Sequence, residues 1–232
     1  MTVLETAPLP QDVVKLGADG INHLWREKKL RAVGIKRAQP LVEAAQNSIG
    51  LDGGVCARMK MQMLLEDYRV KEVQLEKATA VLEAETLKIP YTENLLSIKG
   101  VGLITVAGFL SEVGDIRRFD SPKQIQKLAG LELKENSSGK HRGRTSISKR
   151  GRKRLRKILF QVMLPMIQNN AEFREVYEYF TTRQKNSLKG KQAIIAAGCK
   201  LIRVFYTILK HGVDYDPQKL RMDIIRPESA AA

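Results

Sequence analysis

Eighteen consecutive residues, Lys140 to Lys157, hold ten of the chain's forty Lys and Arg and no Asp or Glu. No compact fold can bury such a stretch, because ten like charges taken out of water repel one another and lose their hydration. The rest of the chain must therefore pack so as to leave it at a surface, where a polyanion can neutralise it. A phosphate backbone is the commonest polyanion with that charge spacing. The stretch from Asn136 to Arg156 also changes character along its length. Its first part, with Ser137, Ser138, Gly139, Gly143, Thr145 and Ser146, reads as a loop or hairpin. From Ser148 onward the glycines thin out, and Leu155, Leu159, Val162 and Met166 return at helical spacing with Ser148 placed as a cap. A hydroxyl-bearing loop is thus delivered by a basic helix.

The net charge of +15 and a pI near 9.9 agree with that reading, since the charge is clustered rather than spread. Cys56 and Cys199 are far apart, with no Cys or His at ligand spacing, which supports neither a zinc site nor a disulfide framework and fits a reducing cytoplasm. No apolar run reads as a membrane span, and the start of the chain lacks the form of a signal peptide.

An all-α fold is expected, because no segment sustains period-two alternation while five show helical spacing. Four regions are expected: an N-terminal helical segment over 1–52, a coiled-coil helix over 53–90, a helical domain over 91–220 and a flexible tail over 221–232. In the first, Asp12 to Glu27 reads as a helix broken by Gly17 and Gly20, and a second short helix spans Ile35 to Ser48. In the second, Ala57, Met61, Leu64, Tyr68, Lys71, Leu75, Ala78, Leu82, Glu85 and Ile89 follow the four-three spacing of a coiled-coil seam, and eight of the ten are apolar or aromatic. That pattern points to a homo-oligomer; a long helix lying on its own domain is the alternative.

The third region opens on Leu95 to Leu110, where two apolar helical turns flank Ile98-Lys99-Gly100-Val101-Gly102, a helix-hairpin-helix pattern. Glycines at Gly100 and Gly102 let backbone N–H groups at a helix N-terminus approach a phosphate. Ser121-Pro122 then starts a helix over Lys123 to Ala129, with Ser121 as its cap. Glu172 to Lys185 and Gln192 to His211 read as amphipathic core helices, and the chain after Asp216-Pro217 reads as mobile.

The string Leu96-Ser97-Ile98-Lys99-Gly100-Val101-Gly102, Phe119-Asp120-Ser121, Lys127-Leu128-Ala129-Gly130-Leu131, Asn136-Ser137-Ser138-Gly139-Lys140-His141-Arg142-Gly143 and Ile147-Ser148-Lys149-Arg150-Gly151 with Leu155-Arg156 resembles the transposase domain of the insertion-sequence 110/116/902 family. The resemblance runs from about Gln11 to Leu220. It implies a DNA transposase whose members join a RuvC-like nuclease domain, with an Asp-Glu-Asp-Asp metal site, through a coiled coil to a helical domain bearing a catalytic serine. It further implies Mg²⁺ in the nuclease domain and none in this chain, a structured guide RNA, and a prokaryotic cytoplasm at the nucleoid.

The start of this chain resembles the family's post-nuclease segment, so the part bearing the metal carboxylates is expected to be absent and the chain inactive alone. The family's serine transfers onto Ser138, with Ser137 the close competitor. Lys99, Gly100, Gly102, Lys140, Arg142, Arg144, Lys149, Arg150, Arg152, Lys153, Arg154 and Arg156 are the candidates to hold nucleic acid. A non-catalytic DNA- or RNA-binding remnant, pairing with intact transposase, is the second reading.

Overall fold

The computed structural model describes residues 1–50, 53–134, 137–138, 141–142 and 146–222. Among the described residues it is all-α apart from four two-residue strands. The chain divides into two compact units between Thr79 and Ala80, inside one long helix.

In the first unit α1 (Thr2–Thr6) leads into α2 (Pro10–Glu27), which packs along α3 (Ile35–Gln46). Gly17 kinks α2 (φ 66°, ψ 173°), whereas Gly20 stays helical. The difference is in the backbone: only Gly17 leaves the right-handed region. Asp12 both accepts from the Leu9 N–H at 3.1 Å, opening the helix, and takes a bidentate pair from Arg58 at 2.7 and 2.6 Å. The Arg58 guanidinium holds the Asp12 carboxyl below its usual range. Arg58 stands on α4 (Gly54–Leu87), whose Arg69 also reaches Glu5 at 3.0 Å.

The second unit is built on α10 (Gly190–His211). Leu201, Ile202 and Phe205 are fully buried there, and α10 packs on α7 (Pro122–Leu128), α8 (Lys153–Asn169) and α9 (Ala171–Thr182). By length and composition α10 could cross a bilayer, contrary to the expectation that no run could; in the fold its apolar face is the floor of the core. Phe205 meets Phe109 of α6 (Leu103–Val113) edge to face, with ring centroids 5.0 Å apart. Losing either ring would cost about 3–5 kcal/mol. As the spacing predicts, Leu155, Leu159, Val162 and Met166 of α8 all point into this core.

Helix starts differ from expectation in instructive ways. Ser148 does not cap α8, which begins after Arg152, because the Ser148 N–H is bound to Glu132 O at 2.8 Å in a backbone pairing. Ser121 stands at the N-cap of α7 without a side-chain bond; the Gln124 amide instead accepts from the Asp120 N–H at 2.9 Å. Asn170, nearly fully buried, caps α9 by accepting from the Phe173 N–H at 3.1 Å and donates to Lys99 O at 3.1 Å. Where a mobile tail is expected, Pro217–Met222 forms α11, with Leu220 buried and Arg221 paired to Glu175 at 3.1 Å.

The start of this unit meets the turn that follows α10. Gly212, at the C-cap of α10, lies so close to the Tyr91 ring that an added methyl would stand 2.6 Å from it, and Asn94 donates to Asp214 at 2.6 Å.

Candidate nucleic-acid interface

Two antiparallel segments form a stem under the Ser-Gly loop. Their backbones join at Arg152 N–H to Leu128 O (2.7 Å), Lys149 N–H to Gly130 O (3.0 Å) and Ser148 N–H to Glu132 O (2.8 Å). The pairing continues outward as β1 (Leu133–Lys134) against β4 (Ser146–Ile147), Leu133 opposite Ile147. Beyond it β2 (Ser137–Ser138) pairs with β3 (His141–Arg142), in the register Ser137 to Arg142 and Ser138 to His141. The serine stretch is therefore one strand of a hairpin arm. Candidates Lys140 and Arg144 lie outside the described residues.

Glycine is required where the stem crosses itself. Gly130 (φ +68°) and Gly151 (φ +149°) face each other, and a methyl on Gly151 would stand 2.6 Å from the Gly130 nitrogen and closer still to Leu128 O. Only residues without a Cβ let two backbones approach so closely in these conformations.

The basic side chains are not equivalent. Arg156 is half-buried and turns inward, its Nη1 donating to Ala129 O at 2.8 Å and Lys149 O at 3.4 Å, so it ties the helix to the stem. Arg152 and Arg154 converge on Glu112 at 3.6 and 3.8 Å, and Arg152 also donates to Glu112 O at 2.7 Å. Lys149, Arg150, Lys153 and Lys157 are exposed. Composition alone treats all of these as one block. Sequence reasoning does not single out Glu112, although it is the one charged residue on the helix 103–113.

The glycine turn lies elsewhere. Between α5 (Thr92–Leu96) and α6, Gly100 (φ +96°) packs on Met166, near the C-terminal end of α8, with 3.2 Å between an added methyl and the Met166 Cα. Lys99 is exposed, and Gly102 opens α6 with no heavy atom within 4 Å of the place a methyl would take. In the first turn of α6 the Thr105 N–H bonds to Gly102 O at 2.9 Å, whereas the Leu103 and Ile104 N–H groups precede the helical ladder and can receive an anion. Because α6 and α8 run antiparallel, this turn and the basic start of α8 are separated by about ten residues of helix, roughly 15 Å. The structure thus presents two cationic features at opposite ends of α8.

Among the described residues no three His, Cys, Asp or Glu side chains gather to hold a metal ion, so the donor set for Mg²⁺ does not fit here. Burial pushes the Cys199 thiol up to about 11, leaving it protonated and unreactive at neutral pH.

Residues 92–178 match the model of the transposase IS116/IS110/IS902 family. The chain is 25% identical over 210 residues to an uncharacterized 42 kDa protein of insertion element IS900 from Mycobacterium paratuberculosis, covering 90% of this chain and 52% of that protein. It is 27% identical over 209 residues to the putative transposase y4rJ of Sinorhizobium fredii, covering 85% and 50%. Over 133 residues it is 29% identical to a pilin gene-inverting protein of Moraxella lacunata, covering 56% of this chain and 41% of that one. The chain spans about half the length of the curated relatives it matches over most of its own length. The matched segment holds the glycine turn, the crossed stem, the serine strand and the basic helix, and over it the chain is similar to the transposase IS116/IS110/IS902 family.

Proposed function

We propose that the chain is the DNA-handling, serine-bearing portion of an insertion-sequence transposase. The observation that carries this is the hairpin arm: Ser138 lies on a strand paired at the backbone with His141, and the arm's base is bonded directly to the start of a basic helix. A nucleophile on such an arm is brought to a phosphodiester whose oxygens are held by Lys149, Arg150, Arg152, Lys153 and Arg154. The Ser138 Oγ attacks phosphorus and the bond to one sugar oxygen breaks. That oxygen leaves with a proton, and a phosphoserine link conserves the phosphodiester energy. A hydroxyl of a second DNA end then displaces Oγ, which regains its proton. Guanidinium and ammonium groups stabilise the charge on the pentavalent phosphorus in both steps. The glycine turn at Lys99, Gly100 and Gly102 binds a second stretch of backbone by its N–H groups, without reading sequence.

This reading includes a guide RNA as a second polyanionic partner, and action at the nucleoid of a prokaryotic cytoplasm. It also pairs α4 with a second copy as a coiled coil. Leu64, Tyr68, Leu75 and Leu82, all at seam positions, are exposed, the last least so at 37%. The remainder of the active enzyme would be supplied by sequence beyond what this chain shares with its longer relatives.

The test is a suicide DNA substrate offered to the chain reconstituted with the rest of a transposase. A covalent adduct mapping to Ser138, lost in Ser138→Ala and kept in Ser137→Ala, is the expected result. An adduct on Ser137, Ser146 or Ser148 would move the nucleophile. No adduct in the reconstituted parent would favour the second reading, a non-catalytic binding module that pairs with intact transposase. That alternative is kept open by the chain's half-length coverage of its relatives.

A further inference from the structure

A cleft of about 360 Å³ opens beside the basic helix, where α8 and α10 diverge. Its walls are apolar: Phe160 from α8, Ile194 and Ile195 from α10, and Ile147 from β4. These four side chains are only half-buried, although Ile147, Ile194 and Ile195 also pack against the core. Its rim carries Lys153 and Lys157, both exposed and neither with an ion-pair partner among the described residues, beside Arg156, whose Nη1 is already engaged. No acidic side chain lines it.

Apolar walls with a cationic rim call for a ligand that joins an apolar face to an anionic flank. A solvent-filled pocket of this kind is otherwise a cost, because half-exposed Phe and Ile lose apolar burial and the lysines repel. A nucleotide unit has that chemistry: the base has a π face that stacks on an aromatic ring or packs on aliphatic walls, and its phosphates lie one sugar away. The volume accommodates a base with its sugar and falls in the range of small-ligand clefts, about 300–1,000 Å³. Position supports the same occupant, since Ile147 and Lys153 flank the stem that bears the serine strand.

We propose that this cleft is a nucleobase pocket, which takes one unstacked base of a single-stranded or frayed strand against Phe160, Ile194 and Ile195 while Lys153 and Lys157 hold its flanking phosphates. The inference rests on the nucleic-acid reading above and adds a distinction between strand types. Duplex DNA offers phosphates but no free base face, so the pocket contributes only where a base is out of the stack. Occupancy would hold the strand beside the hairpin arm.

The full chain is tested with a single-stranded oligonucleotide bearing 4-thiothymidine, with its blunt duplex as the comparison. Photo-cross-linking followed by peptide mapping is expected to mark the segments holding Phe160 or Ile194 and Ile195. In anisotropy titrations Phe160→Leu, which removes the ring and keeps an apolar side chain, is expected to weaken single-strand binding about tenfold and to leave duplex affinity and its salt slope unchanged. Ile195→Trp, which fills the cleft, is expected to do the same, and circular dichroism verifies that both variants fold. Cross-links confined to other segments, or single-strand affinity unchanged in both folded variants, would overturn the pocket while persistent duplex binding left the broader function standing. Absence of binding to either nucleic acid at low salt would overturn both. Displacement of nothing but an acidic amphipathic peptide from the cleft would assign it to a protein partner and also refute the proposal.

Discussion

Replacing Gly151 with alanine tests whether the crossed stem is what holds the serine arm on the basic helix. A φ of +149° is foreign to an L side chain, and holding alanine there costs about 1–3 kcal/mol. The new methyl would also stand 2.6 Å from the Gly130 nitrogen and nearer to Leu128 O, both backbone atoms that cannot swing aside. Relief requires the two segments to separate, which breaks the 2.7 Å bond from the Arg152 N–H to Leu128 O, worth about 1 kcal/mol. The sum is about 3 kcal/mol, which lowers the melting temperature of a domain this size by roughly 6–12 °C. Gly102→Ala is the control, because its φ of −107° is ordinary and the space around it is open. It should change stability by less than about 0.5 kcal/mol. Thermal unfolding followed by circular dichroism reads both variants. A Gly151→Ala protein melting within about 2 °C of the parent would refute the argument that this crossing is sterically closed.

Neutralising Arg152, Lys153 and Arg154 together should flatten the logarithmic salt dependence of DNA binding by up to about three, and an unchanged slope would move the contact surface elsewhere. Arg156→Gln should behave differently, lowering stability with little change in that slope, since its guanidinium bonds to Ala129 and Lys149 carbonyls. Asn170→Ala removes the α9 cap and the bond to Lys99 O, and chemical denaturation should read a loss of about 1–2 kcal/mol. In the first unit, Arg58 holds the Asp12 carboxyl below its ordinary value, so the pairing stabilises the fold above the unfolded carboxylate's range and is lost as pH falls through the lower folded value. Parent and Asp12→Asn proteins should therefore differ in stability at neutral pH and converge in acid, and an unchanging gap down to pH 2 would remove Asp12 from the account.

Periodicity made much of the fold legible. The apolar faces of α8 and α10 follow from helical spacing, because a buried stripe on a helix leaves its mark in every turn, and the extents of α3 and α4 follow from the glycines and breakers that flank them. Helix starts were less legible: Ser121 holds the N-cap position of α7 but makes no side-chain bond there, and the stem pairing of the Ser148 N–H with Glu132 O moves the start of α8 to Arg152. The second outcome depends on a strand partner distant along the chain, which local sequence does not record. The cationic stretch was legible as a surface feature. The division of labour within it was not, since the partners of Arg152, Arg154 and Arg156 come from Glu112 and the Ala129 turn, far away along the chain.

The meeting of Tyr91 with Gly212, and of Asn94 with Asp214, staples the first residues of the helical unit to the turn after α10. The segment between them is closed into one ring around the core formed by α6, α8 and α10, and α11 then folds back to bury Leu220 in that core. Sequence attached ahead of Tyr91 therefore pulls first on a surface staple and not on the buried side chains, so the stem and serine strand keep their places when what precedes them changes.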